Sequence, residues 1–120
     1  MITSASVSEI LWMVLPLECE LVGDRNIAAA AKTVADGREV PNPSPTPDGY
    51  KMEPYAALVA VAAAANFVKT CVDIYLALAK AKGAQPREDE FVPEAVKQGS
   101  SLVESAAKLA SAVFKALSSG

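Results

Sequence analysis

The chain has 120 residues, 52% of them hydrophobic and 21% charged, with a formal net charge of −3 and a pI of about 4.9. This length suits one domain, residues 1–120, large enough to bury a core without staples, and the acidic balance excludes the basic footprint of a nucleic-acid binder. There is no histidine, which excludes Ser-His-Asp and Cys-His catalysis, His-ligated zinc and a histidine pH switch.

The N-terminal text SVSEILWMVLPLECELVG predicts a helix over 6–21. Ser6 or Ser8 can cap it, and Glu9 lies three residues after Ser6 as in a capping box. Pro16 must either kink that helix or stop it near Val14, because a proline inside a helix removes one hydrogen bond and clashes one turn back. A strand at LECELV, with Leu17, Cys19 and Leu21 alternating, is the weaker reading. Gly23 ends the element. The second helix spans 24–36, with Asp24 as cap, Ile27, Ala30, Ala31 and Val34 on the apolar face, and Gly37 as left-handed stop.

Residues 37–52 form an extended strap. Prolines at 41, 43, 45 and 47 alternate with Asn42, Ser44 and Thr46, which favours a polyproline-like path, and Asp48-Gly49 reads as a turn. Its main role is to carry the chain across one end of a bundle. Docking to a Pro-rich-motif receptor is the sharper alternative. Tyr50, Lys51 and Tyr55 are the aromatic-plus-charge cluster outside the core and a candidate docking loop.

The third helix spans 53–82, with Pro54 in its first turn, Lys80 and Lys82 at the negative end of its dipole, and Gly83 as stop. Ala56–Ala65 has no polar residue on any face, so this part must be surrounded by protein or lipid. Further on, Val61, Val68, Val72, Tyr75, Leu76 and Ala79 form a stripe. Lys69, Asp73 and Lys80 mark the wet side, with Lys69 and Asp73 an i,i+4 pair. The polar run AQPREDEF predicts a solvated loop. Pro93 then opens a fourth helix, 93–118, in which Val92, Val96, Gly99, Val103, Ala106, Ala110, Val113 and Leu117 recur at alternating steps of four and three. Such a seam packs nearly parallel or antiparallel to its neighbour. Gly99, Ser100 and Ser101 are weak helix formers where a break fits.

The expected fold is therefore all-α and four-helix bundle-like, with a long central Ala-rich helix and a Pro-rich connection before it. The expected core is Trp12, Met13, Leu15, Val61, Phe67, Val68, Tyr75, Leu102, Leu109, Val113 and Phe114. Cys19 and Cys71 lack the paired spacing of a zinc motif, no basic leader precedes them, and they read as reduced, buried small hydrophobes in a cytoplasmic protein.

No constellation of residues points to catalysis, a metal or a cofactor. Glu18 and Glu20 lie on different helix faces, Arg87–Glu90 reads as a solvated run, Asp24, Arg25 and Asn26 as a helix start, and Cys71 has no base to activate it. The expected function is a non-enzymatic helical protein–protein interaction module: a homo-oligomeric scaffold or adaptor, standing alone or within a larger effector or sensor. Its interaction surface is expected along Val61, Val68, Val72, Tyr75, Val103, Ala106, Ala110, Val113 and Leu117. The alternative is a membrane-active or apolar-ligand-binding bundle using helix 55–79. A constitutive span is disfavoured, because a span needs about 20 apolar residues, and extending Ala56–Val68 toward Leu78 brings in Lys69 and Asp73 at about 2.5–3.5 kcal/mol each.

Overall fold

Thr3, one turn before the expected serines, starts the first helix: its Oγ1 accepts from the Ser6 backbone N–H at 3.1 Å. A computed structural model describes residues 2–43, 52–99 and 102–119. Its helices are α1 (Ser4–Val14), α2 (Pro16–Val22), α3 (Asp24–Ala35), α4 (Met52–Lys82), α5 (Glu88–Gln98) and α6 (Val103–Ser118). The fold is all-α, as the sequence indicates, but the expected first and fourth helices are each two helices.

Pro16 divides the first. Leu15 leaves helical geometry at φ −125°, ψ 58°, as a residue before proline is pushed to do. Pro16 then becomes the first residue of α2, where its missing N–H is no loss. LECELV is thus helical, not a strand. Gly23 rather than Asp24 precedes α3; Asp24 is the first helical residue, where its charge still favours the positive end of the dipole. At the other end of α3, Gly37 takes φ 81°. Its N–H donates to Val34 at 2.9 Å, and that of Arg38 to Thr33 at 3.0 Å. This pair of bonds closes the helix end and needs the left-handed residue found there.

The 31 residues of α4 give a rod of about 46 Å, which sets the longest dimension of the molecule at 52 Å. All five other helices pack against it, and α1 also packs against α3 and α6. Val7, Leu11, Cys19, Ile27, Val68, Cys71, Phe91, Leu109 and Val113 are the fully buried larger side chains. Of the expected core, Leu15, Val61, Phe67, Val68, Tyr75, Leu109 and Val113 are buried, while Trp12, Leu102 and Phe114 are half-buried against it. Met13 is a correction: it is 66% exposed, because α1 turns the face of Val7, Ile10 and Leu11 to the core and Met13 lies off that face. Leu76, placed in the apolar stripe, is also exposed.

The chain 88–91 is not a loop. Helix α5 begins at Glu88 and contains Pro93. The reason is Phe91, fully buried with ring centroids 5.9 Å from Tyr75 and 5.7 Å from Phe114. Glu90 secures this helix start. Its carboxylate accepts from the Arg87 backbone N–H at 3.2 Å and from Lys82, and the Lys82 hydrogen bond holds its carboxyl below the usual range.

The break between α5 and α6 falls at Gly99, which lies against Phe67. A methyl added to Gly99 would stand 2.6 Å from Cε1 of the Phe67 ring and 3.1 Å from Ala106 Cβ. The ring is buried and cannot step aside. Gly99→Ala is accordingly expected to cost about 1–3 kcal/mol as an overpacked site, read as a lower urea midpoint with an unchanged slope.

Candidate functional site

The seam expected to meet a partner is covered by the chain itself. Val61, Val68, Tyr75, Ala106, Ala110 and Val113 are all buried, and Val72 and Leu117 are half-buried against the core. They belong to one core with several neighbours: Tyr75 meets Phe114 of α6, while Val61 and Val72 line depressions shared with α3, and the 3.5-residue repeat does not say which helix answers it. The side chain of Val103, like Tyr50 and Lys51, lies outside the described residues. Tyr55, on α4, holds the strap: its hydroxyl donates to the Pro43 carbonyl at 3.3 Å.

The exposed apolar surface lies elsewhere. Leu17 and Leu21 of α2 are 73% and 52% exposed, and Val59 of α4 is 41% exposed. On α2, Leu17, Glu20 and Leu21 stand at i, i+3 and i+4 and so share one face. Leu17, Glu18 and Leu21 border a shallow depression floored by Ala56, Ala57 and Ala60 of α4. This is where the uncharged half of α4 runs out of cover, since α2 is only 7 residues long. The exposure follows from the break at Pro16, which sequence reasoning recognises without drawing this outcome.

A second depression, of about 500 Å³, opens between the end of α1 and α6. Met13, Val14, Ala107 and Ala112 give it apolar walls, and Lys108 and Lys115 stand beside it. Beyond Ala107 and Ser111 the surface turns acidic at Glu88 and Asp89, so the positive charge is confined to a strip along α6.

A third feature, missed in the sequence, is Asn66. Within a long apolar helix this side chain holds the strap. Its Oδ1 accepts from the Val40 N–H at 2.6 Å and its Nδ2 donates to the Val40 carbonyl at 2.9 Å. One carboxamide thus satisfies both backbone groups of a strap residue, as a neighbouring strand would. The signal available is a lone amide in a run of alanines. Under the strap lies a cavity of about 230 Å³ between Val40, Pro41 and Pro43 on one side and α3 and α4 on the other. The polar side chains at its wall are turned to nearby backbone: Asn26 donates to the Val22 carbonyl at the end of α2 at 3.0 Å and Thr33 to that of Ala29 at 2.9 Å.

Cys19 and Cys71 are free and buried. Burial pushes the Cys71 thiol up to about 12. Burial, helped by the neighbouring Glu18 charge, pushes Cys19 up to about 11. Neither is a thiolate at neutral pH, the form a nucleophile or metal ligand requires. Among the described residues no group of three or more Cys, Asp or Glu side chains is placed to hold a metal ion. One helical stretch, Pro54–Lys82, is long and apolar enough to cross a membrane by length and composition. No known family, curated protein or solved structure matches the chain.

Two outcomes follow. Asn66→Ala leaves the Val40 groups without partners and should cost about 1–3 kcal/mol, with faster tryptic cleavage after the exposed Arg38. The thiols also make stability pH-dependent. Their folded pKa values stand above the ordinary 9.0, so their contribution is complete below pH 9 and is lost as pH rises toward 11 and 12. Urea midpoints should fall between about pH 8 and about pH 10 more steeply for the native chain than for Cys19→Ala, Cys71→Ala.

Proposed function

We propose that this chain is a non-catalytic helical interaction module, a self-associating scaffold or recruitment domain that works in the cytoplasm, where its two thiols stay reduced. The observation that carries this reading is the apolar patch of Leu17 and Leu21 around an alanine floor. Exposed leucines grouped over small residues are a common mark of a protein contact, whereas single scattered ones are not. Small residues in the floor let a partner helix approach closely, and the leucines supply the area that alanine lacks.

Light scattering on a sizing column, across a hundredfold range of concentration, tests it. The expected result is a dimer or larger species that Leu17→Ser with Leu21→Ser shifts to monomer. Both side chains are exposed, so this variant should keep its fold to within about 1 kcal/mol. A monomer at all concentrations would remove self-association and leave only a foreign partner.

A second reading is a membrane-active or apolar-ligand-binding bundle using α4. It is supported by the most apolar 18-residue stretch within Pro54–Lys82, whose mean hydropathy is 1.6 and of which 44% is buried. Lys69 and Asp73 oppose constitutive insertion. Liposome flotation decides it: chain that stays at the bottom of the gradient with neutral and with anionic vesicles sinks this reading.

A further inference from the structure

The described part of the strap is seated as a bound peptide would be. It lies over the groove between α3 and α4. These two helices run in the same direction: Asn26 and Ala30 stand by Leu58 and Val61, and Val34 and Asp36 by Val72 and Asp73. The strap runs the opposite way. Val40 meets Asn66, and Pro43 meets Tyr55, about three turns nearer the start of α4.

The hydrogen bonds that Asn66 and Tyr55 make to it all go to its backbone. Such bonds do not read the strap's own side chains, so another extended chain satisfies them equally well. Proline suits the role, since it fixes an extended path and leaves carbonyls without a partner in their own segment. The side chains fit more loosely. Glu39, Pro41 and Asn42 are exposed, and Val40 and Pro43 are only half-buried. The cavity of about 230 Å³ remains beneath them. Asn26 and Thr33 at its wall are engaged by backbone carbonyls, which leaves an apolar space bounded by Leu58, Val61 and alanines.

We propose that this groove is a receptor for an extended, proline-containing peptide of a partner protein, with a large apolar side chain just before the first proline. The strap occupies the groove in cis until such a peptide displaces it. A tethered competitor acts at an effective concentration on the order of mM. The incoming peptide overcomes it by filling the apolar space that Val40 leaves open. The proposal rests on the recruitment reading above and gives it a partner chemistry, at a surface separate from Leu17 and Leu21.

The probe is the labelled peptide EFPNPS, the text of residues 39–44 with phenylalanine in place of Val40, followed by fluorescence anisotropy. Val40→Asp with Pro43→Gly weakens the strap and leaves the groove intact. This variant should bind the peptide at least roughly tenfold more tightly than the native chain, because the competitor is gone. Added to it, Tyr55→Phe and Asn66→Ala should each weaken binding roughly threefold or more. The peptide with valine restored should bind more weakly than the one with phenylalanine. Millimolar peptide should also speed tryptic cleavage of the native chain after Arg38 by releasing the strap, a readout that stands even if the strap variant does not fold.

Absence of binding to the folded strap variant, equal binding to both chains, or binding indifferent to Tyr55→Phe and Asn66→Ala overturns the proposal. So does cleavage after Arg38 that millimolar peptide leaves unchanged. Binding that persists in Leu17→Ser with Leu21→Ser supports a separate surface. Binding lost there gives the peptide to the α2 patch and overturns this proposal while the patch reading stands. A native chain that self-associates through the patch but fails these peptide tests separates the two readings in the same way.

Discussion

Between Glu53 and Lys69 the longest helix of this protein carries no charge, and the rest of the chain is arranged to keep that stretch out of water. A helix apolar on all sides cannot rest on a single neighbour. Here all five other helices pack on it, with α2 beside Ala56 and Ala60, α3 beside both Val61 and Val72, and Phe91 of α5 beside Tyr75. The strap contributes through its backbone, and Asn66 takes up the N–H and carbonyl of Val40 so that this approach leaves no orphaned polar group. Cover ends at Ala56 and Val59, where the short α2 is the neighbour, and the functional readings gather there.

Two prolines at helix positions, Pro16 and Pro93, behave differently, and the contrast shows which forces govern local structure. At Pro16 the chain breaks, and a single residue, Leu15, absorbs the change while remaining buried. At Pro93 the helix continues. An interior proline costs about 3 kcal/mol, but a helix starting only at Pro93 would leave out Phe91, whose ring sits beside Tyr75 and Phe114. A buried aromatic of this size is worth about 1.5–3 kcal/mol, with about 0.5–1.5 more for each ring pair. Pro93 is exposed, so the Asp89 carbonyl that lacks its usual donor lies on the outer side of the helix.

Much of this architecture is legible in the sequence, because its signals are local. The prolines, Gly23, Gly37 and Gly83, and the 3.5-residue stripe of α6 locate the breaks and the buried faces. Phe91 is not legible: within a run of acidic residues its neighbours argue for solvent, and only the tertiary contacts of its ring reverse that. Periodicity also says that Val61, Ala106 and Val113 are buried without saying by what, so a seam internal to one chain looks the same as a seam between two. The surface at Leu17 and Leu21 depends on how short α2 is between Pro16 and Gly23, and its exposure shows only once the other helices are placed around α4.

Alanine at the helix contacts gives this protein an unusual tolerance to change. In a leucine-rich bundle the damaging core substitutions are deletions, which leave holes. Here Ala64, Ala65, Ala95, Ala106 and Ala110 are fully buried and have little to lose by truncation. Their vulnerability is to growth, since each added methylene must push two backbones apart. Sequence drift in such a chain should run freely among Gly, Ala and Ser at these positions and stop at Val. The helices would then hold their spacing over long divergence while their outer faces, and whatever binds them, are free to turn over.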